Sequence, residues 1–188
     1  MRVNIRPFGS ADAEAVRQVH LRAFVGREDE AHLVESLHAA DAAPVSLVAV
    51  DGSSGGVIGH VLFSPVKIDN GGSSICVVGL APVGVLPEYQ GQGVGSRLIR
   101  AGVEVCREAA YDAVVLLGEP SYYSRFGFER ASAYGLGNEY GVDDYFMVVE
   151  LRSGALARSG ALYATDWSSA SWRHNEGSPP SFLLTTDL

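Results

Sequence analysis

Cysteine is scarce in this sequence. Cys76 and Cys106 are the only two in 188 residues. They are too few and too far apart for a zinc ribbon or a disulfide framework, so both are expected as buried, reduced thiols and no metal site is expected. Lysine is scarcer still, with Lys67 standing alone beside 13 arginines. No lysine follows a glycine turn, which excludes the phosphate loop G-x-x-x-x-G-K-[ST]. Long apolar runs are missing too. None approaches the roughly 20 residues of a membrane-spanning helix. Met1–Arg6 has no apolar centre of the signal-peptide kind. Positive charge is in deficit, 14 basic residues against 22 acidic for a net −8, and no basic patch stands out. Nucleic acid and membranes are therefore not expected as partners, and the cytoplasm is the expected compartment. An acidic surface steers cationic or amine-bearing substrates toward a protein.

What remains is the composition of one globular domain with a real core, 47% hydrophobic and 19% charged. Val3–Arg6 alternates as a short edge strand. Ser10 can cap a helix over Ala11–Phe24 that puts Val16, Val19, His20 and Ala23 on one face, and a second helix is expected over Glu28–Ala39. Strands are expected at Ser46–Asp51, Val57–Val66 and Ser74–Val85, the last two joined by a hairpin turn at Asp69-Asn70-Gly71-Gly72. A long helix follows over residues 93–110, with Val94, Leu98, Ala101 and Val105 facing inward. Ala113–Gly118 reads as a strand buried on both faces. A short helix over Pro120–Phe126, a strand near Phe128–Ala131 and a last strand at Asp144–Leu151 complete an α/β order β-αα-βββ-α-β-α-ββ. Residues 1–152 are expected as the domain, 153–167 as an extension packing on it, and the Ser-, Gly- and Pro-containing stretch 168–188 as a flexible tail.

The most informative stretch is Pro87-Glu88-Tyr89-Gln90-Gly91-Gln92-Gly93-Val94-Gly95-Ser96. It lies between an apolar run and an amphipathic helix. Glycines admit positive φ and close backbone approach, and a helix's first turn offers unpaired N–H groups at the positive end of its dipole. Together they make a phosphate site. The spacing is G-x-G-x-G, whereas a dinucleotide fingerprint needs G-x-G-x-x-G after the first strand of its domain. Four expected strands precede the turn here, although Glu119 stands where such a fingerprint keeps its acidic residue. A nucleotide-binding oxidoreductase and a plain tight turn stay open as alternatives.

The pattern Gln90-x-x-Gly93-x-Gly95 after Val83-Gly84-Val85-Leu86-Pro87 resembles the acetyl-CoA loop of the GNAT superfamily of N-acetyltransferases, in its YhbS-like branch. A second block, Tyr122-Tyr123-Ser124-Arg125-Phe126-Gly127-Phe128, is similar to that family's Tyr-x-x-x-Gly-Phe element. The resemblance covers roughly residues 1–165. It implies a mixed, mostly antiparallel sheet of about seven strands, splayed at the fourth and fifth strands, with helices on both faces. It also implies transfer of an acetyl group from acetyl-CoA to a primary amine of a small molecule, or to an exposed amino group, by direct attack. A non-catalytic acyl-CoA-binding regulatory module is the alternative. The resemblance leaves room for a homodimer.

By the same resemblance, the main chain from Gln90 through Gly91, Gln92, Gly93, Val94, Gly95 and Ser96 cradles the CoA diphosphate. Val83, Gly84 and Val85 pair with the pantetheine arm, and Tyr123 protonates the departing sulfur. Tyr122 points about 100° away from Tyr123 on a helix, so only one of the two serves. The base is the weak link. Strand 74–85 carries no carboxylate, which leaves Glu119 and His60 as candidates; His20, His32 and His38 read as helix-face residues. The acceptor amine is expected near residues 20–38 and 132–144, where carboxylates beside tyrosines can hold an ammonium.

Overall fold

The computed structural model describes residues 2–69, 75–138, 141, 143–156 and 162–165. Its elements are β1 (Val3–Pro7), α1 (Ala13–Ala23), α2 (Asp29–Ala39), β2 (Val45–Asp51), β3 (Val57–Asp69), β4 (Val77–Val85), α3 (Val94–Glu108), β5 (Ala113–Leu117), α4 (Pro120–Tyr123), β6 (Glu129–Arg130), β7 (Leu136–Asn138), β8 (Phe146–Glu150) and β9 (Leu162–Thr165). The strands are hydrogen-bonded in the order β1-β2-β3-β4-β5-β8-β6, with β9 against β3 and β7. β1–β2, β2–β3, β3–β9, β5–β8 and β6–β8 pair antiparallel, and β4–β5 and β7–β9 pair parallel. Two compact units emerge. One holds the chain up to Ser64 together with Leu80–Val105, and the other holds Pro65–Gly79 and the chain from Cys106.

In the first unit, β1 pairs with β2 from Val3↔Asp51 to Pro7↔Leu47, and β2 pairs with β3 from Val45↔Phe63 to Ala49↔Gly59. A strand's period of two then sends Leu47, Ala49, Gly59, Val61 and Phe63 to one face and Ser46, Val48, His60 and Leu62 to the other. Helix α3 covers the first face. A Cβ placed at Gly59 would lie 3.0 Å from Leu98 and 3.3 Å from Val94. Helix α1 covers the second face, where His20 meets His60. Both faces of this ladder thus carry helices.

The inward stripe of α3 differs from the expected one. Leu98, Ile99, Gly102, Val103 and Cys106 are buried, while Ala101 and Val105 are only half-buried. The reason is Gly102, where a Cβ would lie 2.3 Å from the Phe63 ring. The helix comes nearest its strand at a residue that apolar counting ignores. The start of α1 also differs. Ser10 opens a 3-10 turn instead of capping the helix. Asp12 organises the start, with its carboxylate accepting from Arg6 at 2.6 and 2.8 Å and from the Gly9 N–H at 2.9 Å. These bonds hold Asp12 at about 2, well below the usual carboxylate.

In the second unit, β5 is buried along its whole length. It pairs antiparallel with β8 from Ala113↔Glu150 to Leu117↔Phe146. It pairs parallel with β4 only at Val77–Gly79 against Ala113–Val115. β4 itself runs on to Val85, so among the described residues the two strands part after Gly79. Pro82, which has no N–H to donate, lies in the stretch beyond the ladder. The parted fourth and fifth strands expected from the sequence are therefore present.

Cys76 corrects an expectation: it is exposed. β4 begins one residue later, and the Cys76 N–H is bonded to Asp112 at 2.8 Å. Cys106 is buried, which pushes its thiol up to about 12. Two strands lie where none was expected. β7 is only three residues long, and β9 pairs Thr165–Tyr163 with Lys67–Asp69 and Leu162–Ala164 with Leu136–Asn138. Residues 70–72 of the expected hairpin turn and the expected tail 168–188 lie outside the described residues.

Candidate active site

The chain leaves β4 through a 3-10 turn at Pro87–Tyr89 and enters α3 at Val94. Several bonds fix this turn to its surroundings. The Leu86 N–H donates to Ile58 O at 3.0 Å. The Gln90 side-chain amide donates to Val85 O at 3.0 Å, and that of Gln92 to Glu88 O at 2.9 Å. Glu88 pairs with Arg22 of α1 at 2.9 Å. The two glutamine side chains therefore brace the turn, leaving its main chain to meet a ligand.

Gly91 and Gly93 have φ of +67° and +79°, the left-handed region that L side chains rarely occupy. A Cβ at either position would meet nothing within 4 Å. Glycine is required here by backbone conformation, and the space beside it is open. The first helical bond runs from the Arg97 N–H to Gly93 O at 3.1 Å. The N–H groups of Val94, Gly95 and Ser96 thus precede the ladder at the positive end of a 15-residue helix. That combination suits a diphosphate.

On β4, Val83, Gly84 and Val85 are buried. A Cβ at Gly84 would lie 3.0 Å from His20 Nδ1 and 3.1 Å from its Cε1. Gly84 is the place where the imidazole of α1 rests on the strand.

The second unit holds the tyrosine element. Gly118, at the end of β5, lies under the Tyr123 ring, where a Cβ would be 2.2 Å from Cε2. Gly127 takes φ +86° after the 3-10 turn Ser124–Phe126 and reverses the chain. Phe128 then packs against Tyr123 with ring centroids 6.0 Å apart. This is why a glycine and an aromatic residue follow the tyrosine at fixed spacing. Burial, with the neighbouring Tyr122, raises the Tyr123 phenol above its usual range, so the hydroxyl keeps its proton. The Tyr122 ring stands edge-on to that of Tyr123, with centroids 5.0 Å apart, and carries the Arg125 guanidinium 4.3 Å from its centroid. Glu119 caps α4, accepting from the Ser121 N–H at 3.5 Å and the Ser121 hydroxyl at 3.2 Å. Its carboxylate has a structural use.

Around residues 132–144, Tyr134 donates to Glu129 at 2.8 Å and Arg130 pairs with Asp144 at 3.0 Å. Glu139, Tyr140 and Val142 of that segment lie outside the described residues.

Two features escaped the sequence reading. On α2, Glu30 is buried, with one carboxylate oxygen bonded to Arg27 and the other without a partner among the described residues, and burial raises its pKa. Larger is a chain of histidines. His20 Nε2 lies 2.8 Å from His60 Nδ1, His60 Nε2 lies 2.9 Å from Ser46 Oγ, and Ser46 Oγ lies 3.3 Å from His38 Nε2. His20 and His60 are completely buried, whereas His38 is half-buried and stacks on Phe8 at 4.0 Å. His20 and His38 are thus not simple helix-face residues. The signal for His20 was its place among Val16, Val19 and Ala23, an imidazole on an otherwise apolar stripe.

Comparison with known proteins agrees with this geometry. The Acetyltransferase (GNAT) domain family matches residues 4–131. The chain is 39% identical over 146 residues to the uncharacterized N-acetyltransferase YhbS of Escherichia coli K12, covering 77% of this chain and 85% of YhbS. The crystal structure of E. coli YhbS in complex with CoA superposes with a TM-score of 0.79 at 36% identity, over 89% of this chain and 92% of that one. A GNAT acetyltransferase from Brucella melitensis in complex with acetyl-CoA superposes at 0.66 with 38% identity, over 79% and 88% of the two chains. A glycine turn opening α3, parted fourth and fifth strands and a tyrosine held by a Gly-Phe reversal thus occur together with sequence identity over most of the chain, and the protein belongs to the GNAT family of acetyltransferases.

Proposed function

We propose that the protein moves an acetyl group from acetyl-CoA to a primary amine, on a small molecule or an exposed amino group, by direct attack. The observation that carries this reading is the open, positive-φ turn at Gly91 and Gly93 leading into α3. Of the main-chain N–H groups expected to hold the diphosphate, Gln90 to Ser96, that of Gln90 donates instead to Pro87 O at 3.3 Å, so the cradle runs from Gly91 to Ser96 with the Gln90 side chain bracing the turn from behind. The β4 main chain at Val83, Gly84 and Val85 aligns the pantetheine arm. Bound acetyl-CoA supplies the thioester. Tyr123, kept protonated by burial, gives its proton to the departing sulfur. The CoA-bound YhbS and acetyl-CoA-bound Brucella relatives support the choice of co-substrate. The net charge of −8 supports a cationic acceptor.

Calorimetric titration with CoA and acetyl-CoA, followed by thiol release across an amine panel, tests the reading. Tyr123→Phe is expected to lower turnover by about 100- to 10,000-fold with CoA affinity unchanged. Tight CoA binding without thiol release on any amine would instead favour a non-catalytic binding module. Wild-type turnover in Tyr123→Phe removes that hydroxyl from the mechanism.

A further inference from the structure

A protonated amine cannot attack a thioester, so its proton must leave. β4 carries no carboxylate over Val77–Val85, and Glu119, just past β5, already accepts from Ser121 through one carboxylate oxygen. The histidine chain has the form of an exit for that proton. One of its ends is His20 Nδ1, a fully buried nitrogen with no hydrogen-bond partner among the described residues. Buried polar atoms are rarely left in that state. This one lies at Gly84 of β4, within 3.0 Å of where a Cβ would stand. The other end is His38, the only imidazole of the three that reaches the surface.

We propose that His20, Ser46, His60 and His38 form a proton relay carrying the acceptor amine's proton from beside Gly84 to solvent. The proposal rests on the acetyltransferase reading, which aligns the pantetheine arm, and with it the thioester the arm carries, along Val83–Val85. His20 is the catalytic residue, taking the proton directly or through one water, and the other three conduct.

The protons balance in one arrangement. A neutral imidazole carries one N–H and one lone pair. His20 keeps its lone pair at Nδ1 and donates from Nε2 to His60 Nδ1. His60 donates from Nε2 to Ser46 Oγ, whose hydroxyl donates to His38 Nε2. When Nδ1 of His20 gains a proton from the amine, each link passes one onward and the Nδ1 proton of His38 enters solvent. One proton enters and one leaves, and no charge stays behind. Such a relay never requires a lasting imidazolium. That agrees with the environment, since burial holds His20 at about 3, His60 well below its usual value, and His38 lower than usual. The groups around His20 are Val19 and Phe24 on its own segment, Gly84 on β4 and His60 on β3. None of these is a carboxylate that would fix a charge on the ring.

A shared metal ion does not account for the cluster. Two nitrogens on a tetrahedral zinc at about 2.0–2.1 Å lie about 3.3 Å apart, whereas His20 Nε2 and His60 Nδ1 are at hydrogen-bond distance. Among the described residues, no group of His, Cys, Asp or Glu is arranged to hold a metal ion.

Nitrogen-15 NMR of the imidazole rings in the full chain tests the relay without turnover. His20 and His60 are expected as neutral Nε2–H tautomers, with a bare Nδ1 on His20. A proton resident on His20 Nδ1 overturns the proposal. Kinetics adds a second test. Ser46→Ala and His38→Ala are each expected to lower kcat about 10- to 100-fold with the KM for acetyl-CoA and the Tm close to wild type. Added 4-methylimidazole is expected to restore His38→Ala while leaving wild type unaffected. Wild-type kcat in both variants, or a loss that follows Tm and resists rescue, overturns the relay. A wild-type protein that binds acetyl-CoA but releases no thiol with any amine of the panel sinks the acetyltransferase reading instead, and the ring tautomers still decide the relay's geometry.

Discussion

The glycine turn at the head of α3 and the histidine chain behind β4 are both polar constructions within one unit, built in opposite ways. The turn uses ten consecutive residues, and its properties follow from backbone conformation: two glycines at positive φ and three N–H groups ahead of a helical ladder. The histidine chain draws one residue each from α1, α2, β2 and β3. Its properties follow from burial and register. Val48 stands opposite His60 across the β2–β3 ladder, which puts Ser46 on the same face two residues away. A contiguous site advertises itself in the sequence. A site gathered from four elements exists only once those elements have packed.

The sharpest way to separate the two regions is to destroy one of them. Gly93→Asp adds a strained side chain and a negative charge where the diphosphate is expected, so CoA binding should fall below calorimetric detection. The histidine ring resonances should stay unchanged. Gly93→Ala brings the φ penalty alone, about 1–2 kcal/mol, and binding should survive in weakened form. Equal loss in both variants would mean that the turn acts by shape and not as an anion cradle.

Gly84→Ala attacks the other region. The added methyl falls 3.0 Å from His20 Nδ1. Behind that ring lie Phe24 and His60, so it has little room to retreat. A stability loss of about 1–3 kcal/mol is expected by urea unfolding, as for other overpacked cores. Shifted His20 and His60 resonances should accompany it. An unperturbed protein would show that His20 does not rest on β4 as described.

The most gradual of the expected effects, spread over several pH units, is a pH dependence. His20 is neutral in the folded state down to about 3, while an unfolded histidine takes a proton near 6.5. Below about 6.5 the unfolded chain binds more protons, so stability is fully present above that pH and declines as pH falls toward 3. The decline is at most about 1.4 kcal/mol per pH unit for each such histidine. Gly91–Ser96 contains no titratable side chain. His20→Phe should therefore flatten the acid limb of an unfolding curve, and Gly93→Ala should leave its slope alone. The Arg6–Asp12 pair contributes separately and lower, its stabilisation lost as pH drops from about 3.8 through about 2.

Much of the sheet could be read in advance because period-two alternation and fully apolar runs mark strands directly, as at Ala113–Leu117. β7 and β9 could not, since three- and four-residue strands carry too little pattern and gain their bonds from partners distant in the chain. The α3 stripe was misplaced because its nearest approach is a glycine. The exposure of Cys76 turned on where a strand begins, a matter of one residue.

By itself, the sequence determined where backbone must bend and where a helix must start. Gly91, Gly93 and Gly127 take conformations that few other residues tolerate, and such local requirements are written locally. Only the tertiary structure decided which side chains share a hydrogen bond. His20, His60, Ser46 and His38 become neighbours when α1 and α2 cover one face of the β2–β3 ladder, and burial sets the charge and proton affinity of a ring once its surroundings are complete.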